Sequence, residues 1–134
     1  MNRKGLRFLA AVATLLYILA LASCGHDQQL TSITVEPDAE DFGVMDPSLQ
    51  VQLRAVGHYI HPPVSKDITN QVTWATNAPL VATVSTTGVL APGGTACGDA
   101  LITATVQTNH STADRPSSGA IITDSMTATV ECPP

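Results

Sequence analysis

Between Leu49 and Gly57 the chain keeps a strict two-residue repeat. Leu49, Val51, Leu53, Ala55 and Gly57 fall on one side, and Gln50, Gln52, Arg54 and Val56 on the other. An amphipathic helix would repeat about every 3.6 residues, so this run can bury one face only as a strand. The same period recurs in Leu30–Val35, in Val72 and Trp74, in Leu80–Ser85, in Ile102, Ala104 and Val106, and in Met126, Ala128 and Val130. Turn residues separate these runs: Pro37, Asp46-Pro47, Pro62-Pro63, Asn77-Ala78-Pro79, Thr87-Gly88 and Pro92-Gly93-Gly94. Short β-branched strands punctuated by Gly and Pro define an all-β fold, a sandwich or barrel of about seven strands. Pro37 is compatible with an edge or with a kink where a strand changes sheet. His58–Gln71 reads as a connection, with a short edge segment within it as the alternative, and Glu36–Asp46 as an acidic loop. Trp74, the only tryptophan, is expected at the centre of the core, because tryptophan buries more apolar area than any other side chain.

The amino terminus is of a different kind. Arg3, Lys4 and Arg7 precede an uncharged, mostly apolar run, Phe8–Leu21. That is a secretory signal pattern, shorter than the roughly 20 residues a spanning helix needs. The run ends in Leu21-Ala22-Ser23-Cys24, which resembles the lipobox of bacterial lipoproteins. The resemblance implies that Cys24 is diacylglycerated and becomes the first mature residue; ordinary cleavage and an uncleaved anchor are the alternatives. The expected organisation is a cleaved signal peptide over residues 1–23, a short tether over 24–29 and one folded domain over 30–132. Two or more acyl chains anchor stably, so the membrane is an expected partner through the lipid. Gly25 stands where some lipoproteins carry an inner-membrane retention aspartate. The resemblance therefore places the protein in the cell envelope and favours the outer over the inner membrane. About five residues beyond Cys24 span at most ~17 Å, which holds the domain close to its membrane.

Removing residues 1–23 from 134 leaves 111, and losing Arg3, Lys4 and Arg7 takes the formal charge from −5 to −8. That length supports one domain with a modest core. So acidic a surface disfavours nucleic acid and is not drawn to anionic headgroups.

The strand sequences themselves carry a second resemblance. Leu30-Thr31-Ser32-Ile33-Thr34-Val35, Leu49-Gln50-Val51-Gln52-Leu53, Asp67-Ile68-Thr69-Asn70-Gln71-Val72-Thr73-Trp74, Pro79–Ser85, Gly88 and Ala100–Thr105 together resemble a group 2 bacterial immunoglobulin-like domain. The resemblance covers about Leu30–Val106. It implies an immunoglobulin-like β-sandwich of the kind found in surface adhesins and envelope proteins, with no catalytic residues. Two departures are a lone copy of a domain that often occurs in tandem, and a long connection, Thr108–Ile121, before the last strand.

Cys97 and Cys132 remain once Cys24 is set aside. Export permits a disulfide. A hairpin of the last two strands that faces Ile102 with Ala128 and Ala104 with Met126 leaves Cys97 one residue from registry with Cys132, and centres the connection on Arg115. An intramolecular disulfide is therefore expected, with free thiols as the alternative. A metal site would lack a third ligand at metal spacing.

Other candidates are weaker. Glu36, Asp38, Glu40, Asp41 and Asp46 could offer oxygen ligands to calcium, but their spacing is not that of an EF-hand loop, and a solvated turn that guards an edge is the expectation. His58 and His61 lie three apart and point to opposite faces of a strand; His26 and His110 have no partner at a telling spacing. Asn109-His110-Ser111 fits a glycosylation sequon, an accidental match in a bacterial lipoprotein. Asp114, Arg115 and Pro116, in the long connection, form the candidate binding loop, since loops at sandwich ends contact partners; a flexible polar hairpin tip is the alternative, because the aromatic anchors of a binding hot spot are missing there. No catalytic, cofactor or metal residues are expected. The functional expectation is a membrane-anchored, non-enzymatic envelope lipoprotein whose immunoglobulin-like module binds or adheres to a protein or glycan. The alternative is a structural spacer or accessory subunit of an envelope complex.

Overall fold

A computed structural model describes residues 28–108, 111–112, 115–116 and 119–134. The signal peptide, Cys24, His26 and most of the tether lie outside them. All regular structure among the described residues is β.

One layer is built around the alternating run. Strand β1 (Gln29–Glu36) pairs antiparallel with β4 (Arg54–Ile60), and β4 pairs on its other side with β5 (Val64–Asp67). Strand β3 (Val51–Gln52) immediately precedes β4 and pairs with β8 (Val89–Pro92), which pairs with β7 (Ala82–Val84). Only Leu53 separates β3 from β4, so the two three-stranded sheets are parts of one layer. The opposing layer has the order β2 (Ala39–Val44), β12 (Ile121–Glu131), β9 (Gly98–Gln107), β6 (Thr73–Thr76). In the long connection β10 (Ser111–Thr112) pairs with β11 (Arg115–Pro116).

The chain's first extended run is shared between layers. β1 ends at Glu36, the Glu36–Pro37 peptide bond is cis, and β2 then runs parallel to β12 in the other sheet. Proline suits this crossing because it has no N–H to leave unpaired where one ladder stops and the next begins. The acidic segment is thus largely strand, correcting its reading as a loop. Such splits also raise the count from about seven strands to the twelve here, without changing the immunoglobulin-like sandwich. Across the open side of β1, the Asp124 carboxylate accepts the Val35 N–H at 2.7 Å and ties the two layers together.

The core is the interdigitated inner faces: Ile33 and Val35 from β1, Leu53 and Ala55, Ala82 and Leu90 from one layer, and Phe42, Ala100, Ile102, Ala104, Met126, Ala128 and Val130 from the other. Alternation in β9 and β12 selects the even positions for burial. Trp74 is not the centre of this core. It sits on the edge strand β6, half-buried, and its indole N–H donates to the Thr69 carbonyl at 3.0 Å. A polar N–H needs a partner, and the sheet edge supplies one where the core would not.

The hairpin of β9 and β12 has Ile102 opposite Met126 and Ala100 opposite Ala128, with Ala104 opposite Asp124. The expected pairing was displaced by two residues. A slip of two preserves which face every side chain occupies, so face alternation could not detect it. Cys97 and Cys132 remain next to registry and are joined in a disulfide with a Cα separation of 5.2 Å.

Candidate functional site

Strand directions give the sandwich two distinct poles. At the amino pole lie the start of β1, the β4–β5 turn His61-Pro62-Pro63, and the base of the long connection, where the Thr108 N–H donates to Ala120. At the carboxy pole lie the disulfide and three loops: residues 45–50, 77–81 and 93–97. Gly93 closes this pole. A Cβ there would come within 2.4 Å of the Leu80 carbonyl oxygen and 2.5 Å of that of Pro79, so only glycine permits the approach.

The best-formed concavity is neither pole. A recess of about 610 Å³ opens on the first layer where β5 ends and the turn before β8 comes alongside. Its walls are polar: Gln52, Arg54, Asp67, Asn70, Gln71 and Thr87, with Thr69 and Leu53 beneath. Most of these groups are occupied in building the corner. Asp67 Oδ1 accepts the Thr69 N–H at 3.0 Å and the Thr69 hydroxyl at 2.6 Å. The same hydroxyl oxygen accepts the buried Ala55 N–H at 3.0 Å, while Ile68 donates its N–H to the Ala55 carbonyl at 2.8 Å. The β4–β5 ladder therefore continues for one step with a side chain in place of backbone. Sequence reasoning had quoted Asp67-Ile68-Thr69 without seeing this role. The signal was available in a carboxylate and a hydroxyl two residues apart, the spacing of a side-chain-built turn.

The Thr69 hydroxyl, then the Thr69 N–H, hold the Asp67 carboxyl below its ordinary range, with a further contribution from Arg54. Arg54 Nε lies 3.1 Å from Asp67 Oδ2, and its Nη1 lies 3.8 Å from Glu36. Gln52 Nε2 donates to the carbonyls of Leu53 and Thr87. The recess can offer hydrogen bonds to a polar ligand; its Thr69 hydroxyl, though beside the Asp67 carboxylate, is buried and already accepts the Ala55 N–H.

The acidic residues do not converge. Glu36 faces Arg54, Asp41 accepts the Gly43 N–H at 2.8 Å, and Asp46 accepts both the N–H and the hydroxyl of Ser48. Those Ser48 bonds, the side-chain one foremost, keep Asp46 below the usual carboxylate range. Among the described residues no three His, Cys, Asp or Glu side chains gather closely enough to hold a metal. His58 lies on β4 and is half-buried, while His61 lies beyond the strand, so the two do not share one strand, contrary to expectation. The His58 ring lies 3.0 Å from Thr34 Oγ1 and 3.0 Å from Ser65 Oγ, so it laces β1, β4 and β5 together. His61 occupies the turn at φ 63°. In the candidate binding loop, Arg115 and Pro116 pair with Thr112 and Ser111 through the backbone. Asp114, Asn109 and His110 lie outside the described residues.

These two layers, with a first strand shared between them, define an immunoglobulin-like β-sandwich. Residues 29–115 match the bacterial Ig-like domain (group 2) family, and the chain belongs to it. Such domains are often adhesion or binding-type modules and are generally non-catalytic. The match stops before β12, which nevertheless completes the sheet between β2 and β9. No curated protein matches the chain in sequence.

Proposed function

We propose that this chain is a lipid-anchored envelope protein whose single immunoglobulin-like domain works by contact, adhering to a protein or glycan without catalysing a reaction. The observation that carries this reading is the Cys97–Cys132 disulfide. Structural disulfides persist in oxidising compartments and are rare in the cytosol. A disulfide-clamped domain following a signal-like leader and the sequence Leu21-Ala22-Ser23-Cys24 is therefore consistent with export and lipidation at Cys24. The membrane is one partner, through the acyl chains, and the outer membrane is the favoured face. The acidic surface argues against nucleic acid.

The experiment is labelling with radioactive palmitate, followed by capture of partners from envelope extract. Label in the unsubstituted chain and none in Cys24→Ser is the expected result; label in neither refutes anchoring. Binding to isolated polysaccharide or matrix protein supports adhesion. A stoichiometric envelope complex instead supports the spacer or accessory-subunit reading, which the ~17 Å reach of the tether favours. Capture of nothing refutes both.

A further inference from the structure

The two poles differ in charge, and the difference bears on how an anchored domain would stand. The nine described carboxylates are Glu36, Asp38, Glu40, Asp41 and Asp46 on or after β1 and β2, together with Asp67, Asp99, Asp124 and Glu131. Asp67 pairs with Val56 at the level of Thr34, and Asp124 sits opposite Ala104 and bonds Val35. The other seven lie farther toward the carboxy pole. The described residues on the amino side of those rungs (28–33, 57–66, 105–108 and 119–123) include no carboxylate. They include Lys66, whose ammonium lies 5.1 Å from the centre of the Tyr59 ring and bonds Gln28. Apolar groups are exposed at both poles: Ile121 (70%) and Val64 (37%) with the exposed Pro62-Pro63 turn at the amino pole, and Leu80 (63%), Val44 (51%) and Leu49 (40%) at the carboxy pole.

We infer that the amino pole is a membrane-facing surface, resting on the headgroup region of the bilayer that holds the anchor, with the acidic carboxy pole directed away. This rests on the proposed lipidation of Cys24. Two independent features agree. The chain enters at this pole, so a tether of at most ~17 Å keeps it within reach of the lipid. An acidic pole is repelled by anionic headgroups, and the negative potential acts within about one Debye length, ~8 Å. Seated this way, Tyr59 and Lys66 meet the mixed polar and apolar environment that suits them. The domain as a whole is acidic and not attracted to the bilayer; its orientation is set by the described carboxylates, none of which lies on the amino side of the Asp67 and Asp124 rungs.

The test uses the full lipidated protein in phosphatidylethanolamine/phosphatidylglycerol vesicles containing lipids brominated near the headgroup. In a Trp74→Phe background, single tryptophans are placed by Val64→Trp at the amino pole and Leu80→Trp at the carboxy pole. Interfacial side chains lie ~5–10 Å into the headgroup boundary, so the first is expected to lose about half its emission and the second almost none. Equal quenching, or stronger quenching at position 80, overturns the orientation while leaving the anchor intact. Failure of the protein to float with the vesicles refutes the anchor and the orientation together. Hydroxyl-radical footprinting of the unsubstituted lipoprotein on the same vesicles needs no variant to fold. Protection of Tyr59–Val64 with Leu80 unprotected is expected, and the reverse overturns the proposal.

Discussion

Thr69→Val isolates one hydroxyl, and the two hydrogen bonds it makes, in the corner beneath the recess. Thr69 is 8% exposed, and its hydroxyl both donates to Asp67 and accepts the N–H of fully buried Ala55. Valine nearly reproduces threonine's shape, so the packing survives and the hydroxyl alone is lost. The Ala55 N–H then has no partner and no water, which costs about 1–3 kcal/mol. Asp67 loses a donor too, but it is exposed and regains water. A net loss of about 2 kcal/mol is therefore expected, a large part of a typical ~5–15 kcal/mol. For a domain of ~100 residues this lowers Tm by about 10 °C. Urea unfolding at pH 7, followed by Trp74 fluorescence, reads the loss directly, since the indole bonds the Thr69 carbonyl. Thr69→Ser is the control. It keeps the hydroxyl and gives up one methyl, at a cost of about 1 kcal/mol. A valine variant within about 0.5 kcal/mol of the parent, or a serine variant that falls as far as valine, refutes the reasoning.

Replacing Cys97 and Cys132 together by alanine reopens a loop with a sequence separation of 35; the chain-entropy account gives a loss of about 4 kcal/mol, measured by urea midpoint under non-reducing conditions. Gly93→Ala forces a methyl against two backbone carbonyls that cannot rotate away, so a loss of about 2 kcal/mol or more is expected by thermal melting. Asp67 is held below its ordinary pKa by Thr69 and then Arg54, so its contribution is full above the unfolded carboxyl value of about 3.9 and disappears as pH falls through the folded value. Stability measured from pH 5 down to 2 should therefore fall less steeply in Asp67→Asn than in the parent, and an unchanged slope refutes that assignment.

Much of the fold was legible because burial on one face imposes a period on the sequence. Leu53–Gly57, Ile102–Val106 and Met126–Val130 announced their inward faces by alternation alone, whereas Leu49, read with the first of these runs, is exposed ahead of β3. What alternation could not disclose was partnership. The split at Leu53 leaves the alternation of Val51–Gly57 intact while its two halves bond different strands. The two-residue displacement of β9 on β12 is likewise silent in the pattern. Strand β2 was missed because Glu40 and Asp41 look like loop residues, although on an edge paired on one side they remain solvated. Trp74 misled through size: its N–H requirement outweighed its apolar area. Of the candidate site, the cysteine pair was readable from spacing and phase. The recess was not, because Gln52, Asp67 and Thr87 are distant in sequence and meet only where β5 stops short of the turn before β8.

The crossing of the first extended run between layers has a mechanical consequence. The described chain enters at one pole and leaves at the other, so tension between its ends runs along the strands. β1 is then dragged past β4, and β2 past its parallel neighbour β12. Both ladders are loaded in shear, with their bonds resisting together and not peeling one at a time.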